Sequence, residues 1–192
     1  MYIKQYIIIL ICFVFVMQIP ISMVNAEQKL SIGCRIDLDY TTQSYESSFS
    51  SMDIESQVLY NKGDMIYVTV VAQGVKKLDT YQFEIQYNPE KLEFIDGYED
   101  SQLQGVQNLL KAKGGSTIGF QAMEKESGLI NVANAMIGND SEKAADGSGC
   151  IGMLKFQVLS DQSTELYLSN VHFVDASQKE VVITNLTGGH IN

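Results

Sequence analysis

The sequence contains no tryptophan, only two prolines and two histidines, and three cysteines. So few histidines and cysteines do not form a zinc-ligand cluster, and no nucleophile motif accompanies the histidines. The missing tryptophan removes the flat ring that most readily stacks on a sugar. Cations are also scarce, because 13 Lys and Arg stand against 23 Asp and Glu, a formal net charge of −10. We therefore expect no nucleic acid and no anionic lipid surface as a partner.

One long apolar run is present, and it lies at the N-terminus. Lys4 precedes an uninterrupted apolar stretch over residues 7–17, and Val24-Asn25-Ala26 fits a small-residue cleavage site. This pattern predicts a secretory signal peptide over residues 1–26. The alternative is an N-terminal membrane anchor, but the run is short for the roughly 20 residues of a spanning helix. We expect a secreted, extracellular chain beginning at Glu27, with no membrane contact after cleavage.

Two cysteines follow the leader, Cys34 and Cys150. Export permits a disulfide between them. Cys34 alternates with apolar neighbours, and Cys150 has the parity of Leu154 and Phe156, so both are predicted to point into the core. This arrangement allows a bridge without requiring one, because a free cysteine is often simply buried.

Alternation of period two dominates the rest of the chain. In "TYQFEIQYNPEKLEF", residues 80–94, large apolar side chains alternate with polar ones from Tyr81 to Tyr87, and Asn88-Pro89 then forms a turn. Many similar runs, separated by Gly, Asn, Asp and Ser, predict an all-β sandwich. Residues 101–112 are the only predicted helix, beginning at Ser101 and ending before Gly114.

Candidate residues for chemistry are few and weak. Glu84 on a polar strand face is more typical of a solvated residue, and His172 of a solvated or packed strand histidine. His190, two residues from the end of the chain, is expected to be frayed. The segment "GNDSEKAADGSG" offers oxygen ligands for calcium, but their spacing does not match an EF-hand loop and favours a solvated loop. These oxygens belong to Asn139, Asp140, Glu142 and Asp146. We expect no catalytic residues, no metal site and no cofactor on this chain.

The order of features resembles a cohesin domain. "NKGDMIYVTVVAQGVKKLDTYQFEIQYNPEKLEFIDGYE" is followed by "GLINVANAMIGND", "DGSGCIGMLKFQV" and "LYLSNVHFVDASQKEVVIT". The resemblance divides the chain into the signal peptide, an N-terminal extension over residues 27–49 and a cohesin-like domain over residues 50–192. The extension has no clear counterpart, and it could add a strand to the sandwich or cover a sheet edge that would otherwise invite pairing.

The resemblance implies a nine-stranded jelly-roll β-sandwich with one short helix. It also implies a non-catalytic role: cohesins bind dockerins, calcium-loaded modules of secreted polysaccharide-degrading enzymes, and so assemble these enzymes into cellulosomes. Calcium is then expected on the dockerin partner and not on this chain. Since the fold is similar to cellulose-binding modules, the alternative is a carbohydrate-binding or cell-surface adhesion module, with polysaccharide as the partner.

The resemblance also implies where a dockerin-containing partner would bind. The family's polar contact positions correspond to Thr80 and Gln82, where cohesins often have Asn and Asp, so specificity does not carry over. Its outward positions on the strand "INVANAM" correspond to three further residues, with Ala133 and Ala135 turned to the core. The five predicted partner-binding residues are Thr80, Gln82, Val132, Asn134 and Met136.

Overall fold

The structure is a computed structural model that describes residues 31–42, 54–101, 105–138 and 140–192. The predicted signal peptide, residues 1–26, lies outside the described residues. Within the described ranges, no helix combines the length and the apolar character that a membrane crossing requires.

Strands make up most of the described chain, which confirms the predicted all-β class. Eleven strands are present in the described residues: β1 (Gly33–Asp37), β2 (Gln57–Val58), β3 (Met65–Gln86), β4 (Leu92–Tyr98), β5 (Thr117–Glu126), β6 (Leu129–Met136), β7 (Ala145–Val158), β8 (Thr164–Asp175), β9 (Glu180–Val181), β10 (Asn185–Thr187) and β11 (Gly189–Ile191). The count differs from nine because the first and last strands are interrupted, while β3 runs unbroken through both layers of the sandwich.

Strand β3 contributes to both layers. In its first half, residues 65–72 pair with β7 and residues 69–73 with β1, whereas in its second half residues 80–86 pair with β6 and residues 78–86 with β8. Irregular register between the two halves bends the strand from one layer into the other. One layer is ordered β10-β1-β3-β7-β4, and the other is ordered β5-β6-β3-β8, with β11 and β2 continuing from the start of β8.

The core lies between the layers and is filled by the apolar half of each alternating pattern. Tyr81, Phe83 and Ile85 are fully buried, as the alternation in β3 predicts, and they meet Phe156 and Phe173 from the neighbouring strands. Fully burying a side chain of this size contributes roughly 1.5–3 kcal/mol. The hydrophobic pattern therefore fixes which face of β3 points inward.

The first strand of the sandwich is interrupted by an excursion. β1 pairs in parallel with β10, with Gly33 opposite Asn185, and β2 pairs in parallel with β11, with Gln57 opposite His190. The two ladders follow one another along the same stretch of the C-terminal chain. Leu38 N donates to Glu55 O (2.8 Å) where the chain leaves and returns. The N-terminal extension thus supplies a strand, β1, while residues 43–53 lie outside the described residues.

The helix predicted over residues 101–112 is wrong. Ser101 instead forms an isolated antiparallel bridge with Val106, and Gly105 takes a left-handed conformation (φ 67°) that ends any helix. In the described part of this segment, the helical residues are Leu109–Lys111, which form one 3-10 turn. Asn108 caps the turn, and the Asn108 side chain accepts a hydrogen bond from Leu110 N. A second 3-10 turn covers Tyr40–Thr42.

The two cysteines lie on opposite faces of one sheet, so the predicted common inward orientation is wrong for Cys150. Cys34 pairs with Ala72 and faces the core, whereas Cys150 pairs with the adjacent Val71 and faces outward into a second apolar cluster. A bulge at Ile151 reverses the parity of β7. Both thiols are free, and burial raises the pKa of each, that of Cys150 to about 12.

Candidate partner-binding face

The outer surface of the β5-β6-β3-β8 sheet is a candidate binding face. Ile118 and Met123 of β5 are 64% and 55% exposed there, and Gln82 and Gln121 are also exposed. No element of the described ranges packs over these side chains. We call this surface the open face. Its central residues are Thr80, Gln82, Ile118, Gln121, Ala133 and Ala135.

Strand register places the central residues in two rows. Ala135 lies between Thr80 and Ile118, and Ala133 lies between Gln82 and Gln121. The short alanine side chains sit between longer ones and form the floor of a depression of about 270 Å³. No charged side chain lines this depression, although the chain carries a net charge of −10.

The predicted orientation of β6 is wrong. Val132, Asn134 and Met136 are 0%, 3% and 6% exposed and point inward, whereas Ala133 and Ala135 lie on the open face. The physical reason is the apolar area available on each side of the strand. The inward side carries the larger apolar side chains, and burying them gains more free energy than burying two methyl groups.

The two predicted contact residues on β3 do lie on the open face. Gln82 is exposed, and Thr80 is half-buried with its Oγ1 donating to Asp79 Oδ2 (3.0 Å). These two residues, Ala133 and Ala135 come from adjacent strands, so they are neighbours across the sheet. The sequence predicts that β3 and β6 form this face, but it assigns the wrong set of alternating residues in β6 to the outside.

Asn134 is itself buried and has a structural hydrogen-bond partner, the half-buried Glu99, rather than a surface position. Its Nδ2 donates to Glu99 Oε1 (2.8 Å), and Glu99 also forms an ion pair with Lys111 (2.9 Å). Beside it, Asn108 Nδ2 donates to the hydroxyl of Tyr81 (2.7 Å), whose pKa burial raises. These contacts fix β6 to the segment that follows β4, and so they hold the floor of the open face in place.

Towards β8 the open face becomes ionic. Glu84 accepts from Lys125 Nζ (2.6 Å) and from Asn170 Nδ2, and only 6% of it is exposed. Its predicted solvated state is therefore wrong, because the side chains of Lys125 and Asn170 cover it. The hydrogen bond from Lys125, helped by Asn170, holds the pKa of this carboxyl below its ordinary value.

Each histidine contacts a glutamate on a neighbouring strand. His172 Nδ1 lies 2.9 Å from Glu180 Oε1, and the pair is exposed. His190 Nδ1 lies 2.5 Å from Glu165 Oε1, and this hydrogen bond raises the His190 pKa. His190 belongs to β11, so it sits in a paired strand near the chain end.

Two of the four oxygen-bearing side chains considered for calcium are paired with lysines in the structure. Asn139 lies outside the described residues. Asp140 caps a turn and pairs with Lys143, while Asp146 pairs with Lys113. Across the described ranges, no three His, Cys, Asp or Glu side chains gather closely enough to hold a metal ion.

The sequence was compared with models of known families. The model of the cohesin domain matches residues 50–192. The chain belongs to the cohesin domain family. The matched region begins after β1, so the strand Gly33–Asp37 is an N-terminal addition to the matched domain that nevertheless pairs with β3 and β10.

Comparisons with individual proteins agree with the family. Cell surface glycoprotein 1 of Acetivibrio thermocellus is 27% identical over 150 residues, which are 71% of this chain and 6% of that protein. The chain therefore spans a small part of this relative. Cohesin domains belong to extracellular cellulosomal or cell-surface proteins.

Solved cohesins share the architecture. The sixth cohesin of scaffoldin B from Acetivibrio cellulolyticus, solved in complex with a Cel5 dockerin mutant, matches with a TM-score of 0.59 at 20% identity, covering 84% of this chain and 98% of that one. A non-cellulosomal cohesin from Archaeoglobus fulgidus matches with a TM-score of 0.53 at 18% identity, covering 85% and 91%. At these identities the likeness establishes the fold.

Proposed function

We propose that this chain is a secreted, non-catalytic interaction module that binds the dockerin of another extracellular protein through the open face. The observation that carries the proposal is the uncovered, uncharged depression floored by Ala133 and Ala135. Such a surface costs little to desolvate, because no ion loses its hydration when a partner covers it. Membership in the cohesin family and the complexes formed by solved relatives support dockerin as the partner.

The rest of the assembly follows from this role. Calcium belongs to the dockerin, whose folding depends on it, and this chain contributes no metal ligand. The partner enzyme would supply the chemistry, and this chain would supply attachment to a larger complex of polysaccharide-degrading enzymes. Export depends on cleavage after Ala26, which leaves the acidic domain outside the cell.

The test is calcium-dependent capture. The chain from Glu27 onward is immobilised, culture supernatant of the source organism is passed over it with calcium, and EDTA is then applied. The proposal predicts that EDTA releases proteins that carry dockerin sequences, because dockerins unfold without their ion. Release of proteins without dockerins, or capture indifferent to EDTA, would contradict it.

A matched pair of variants locates the binding face. Ala133→Arg places a long cation in the floor of the depression, whereas Gln157→Arg places the same charge on the outer surface of the opposite sheet, in β7. Capture should disappear for the first variant and persist for the second. Equal loss in both variants would point to a general electrostatic effect instead.

A further inference from the structure

A second concave site lies at the far end of the same sheet. A cleft of about 390 Å³ opens between the end of β3, the turn that follows it and the beginning of β8. Its volume falls within the roughly 300–1,000 Å³ typical of small-molecule sites. The lining residues are Gln86, Tyr87, Asn88, Lys91, Ser163, Thr164, Glu165 and Tyr167.

One wall of the cleft offers an aromatic surface. Tyr167 is 57% exposed, and it lies opposite Gln86 in the β3–β8 ladder, so the ring and the amide sit side by side. The Tyr87 ring points away from the cleft and packs against Phe156, and its hydroxyl donates a hydrogen bond to Glu124. Tyr167 is therefore the ring in this cleft that is available to a ligand.

The cleft lining holds one lysine and one glutamate, whose opposite formal charges balance, and both side chains make hydrogen bonds within the chain. Lys91 Nζ donates to Ser163 O (2.6 Å), and Glu165 Oε1 is engaged by His190 Nδ1 (2.5 Å). A neutral ligand could use the remaining donors and acceptors of Lys91, Glu165 and Gln86 without breaking either contact.

We propose that this cleft binds a neutral oligosaccharide, with Tyr167 stacking on one sugar ring. A pyranose has an apolar C–H face for the tyrosine ring and a rim of hydroxyls that both donate and accept. The cleft presents the complementary pattern of one exposed ring beside amide, ammonium and carboxylate groups. An open cleft end suits a chain of sugar units rather than a single enclosed one.

The cleft and the depression lie at different points along β3. Gln86 in the cleft follows Thr80 in the depression by six residues along β3, a distance of roughly 20 Å at about 3.3 Å per residue. The proposal does not rest on dockerin binding, and it adds contact with polysaccharide to a module that recruits another protein.

Titration followed by backbone NMR tests the site directly. Cellohexaose and xylohexaose are added separately to the ¹⁵N-labelled chain from Glu27 onward. We expect saturable shifts of the Gln86, Lys91 and Glu165 amides with at least one of them, and unchanged shifts at Thr80 and Ala133. No shift with either sugar, or shifts confined to other surfaces, would overturn the proposal.

A pair of substitutions at one position separates stacking from folding. Tyr167→Phe keeps the ring and should bind the sugar with nearly unchanged affinity, whereas Tyr167→Ala should weaken binding roughly three- to tenfold, the contribution expected of an aromatic contact. Thermal unfolding of both variants checks that the fold is intact. If the alanine variant binds as tightly as the natural chain, the ring does not make the site.

The zwitterion glycylglycine serves as the competing probe, since it matches the opposite charges of Lys91 and Glu165. Shifts of the cleft amides with this peptide and not with either hexasaccharide would assign the cleft to peptide termini and overturn the sugar proposal. Shifts with a hexasaccharide that are unaffected by calcium or by Ala133→Arg would show that the cleft acts independently of the open face.

Discussion

The two outer faces of the sandwich differ in whether the described chain covers them. On the β1-β3-β7-β4 side the chain covers its own sheet: Tyr40 from the excursion in the first strand packs edge-on against Tyr67, with ring centroids 6.0 Å apart. Tyr98 lies on the other side of Tyr67, and Val106, Cys150 and Met153 are buried among them. We call this the covered face, defined by these six residues.

On the open face the described chain leaves the sheet uncovered. The side chains there are small or uncharged at the centre, and ions are paired towards β8. Both sheets have the same alternating pattern of side chains. The difference between their outer faces therefore comes from what the rest of the chain places over each one. Burial by the chain itself stabilises the covered face, and lack of cover leaves the open face available.

The largest expected effect is on stability at the covered face. Met153 is 1% exposed, and Met153→Ala removes most of a buried side chain and leaves a cavity. We expect the free energy of unfolding to fall by about 2–4 kcal/mol in urea denaturation. Dockerin affinity, measured at a temperature where the variant is folded, should be unchanged. A large loss of affinity in the folded variant would mean that the two faces are coupled.

The next effect is on binding at the open face. Ala133→Arg should reduce dockerin affinity about a hundredfold or more, because a buried cation without a partner is costly at an interface. Unfolding in urea should change by less than about 0.5 kcal/mol, as for other surface substitutions. Calorimetric titration with a calcium-loaded dockerin measures the first quantity. Binding within threefold of the natural chain would remove the depression from the interface.

A third prediction contrasts two residues that sequence reasoning assigned to one role. Asn134→Ala removes a partly buried hydrogen bond to Glu99 and should cost about 1–3 kcal/mol of stability. Gln82→Ala should leave stability nearly unchanged and weaken partner binding instead. Urea denaturation and calorimetric titration of both variants check this contrast. The reverse result would restore the outward orientation of Asn134.

The smallest effect concerns Glu84 and pH. Its pKa lies below the ordinary value of 4.5 in the folded protein, so folding favours the ionised form. The resulting stability is present above the unfolded pKa and is lost as pH falls through the folded pKa. Glu84→Gln should therefore be less stable than the natural chain at neutral pH, by less than about 1 kcal/mol.

Urea denaturation of both proteins near neutral pH and in acid tests this prediction. The difference between them should vanish once the pH is below the folded pKa of Glu84. Glu93→Gln, at an exposed position of β4 on the other layer, is the control for removal of a negative charge. A difference that persists in acid would show that the cause is packing rather than ionisation.

The sequence predicted the class of fold because alternation in β3 assigns Tyr81, Phe83 and Ile85 to one side without ambiguity. It failed where alternation alone does not decide. In β6 the resemblance assigns the outward positions to Val132, Asn134 and Met136. Val132 and Met136, however, carry more apolar area than Ala133 and Ala135, which favours burial of their side of the strand. In β7 a bulge at Ile151 changes parity, and an inserted residue leaves no mark on a period-two pattern.

Long-range contacts explain the remaining differences. Glu84 looks like a solvated strand residue until Lys125 and Asn170, 41 and 86 residues away, are placed over it. The interrupted first strand is also invisible in the sequence, because β1 and β2 are aligned by β10 and β11 at the other end of the chain. Candidate sites therefore could be assigned to strands from sequence, and to faces where the alternation is regular, as in β3, but not in β6.

Methyl NMR with a calcium-loaded dockerin tests the central claim most directly, because it observes both faces at once. We predict shifts for the methyl groups of Ile118, Met123, Ala133 and Ala135 on the open face. Methyl groups of Met65 and Ile95, exposed on the other layer, should not move. Shifts at Met65 and Ile95, with the open-face methyl groups unchanged, would contradict the account and assign recognition to the opposite side of the sandwich.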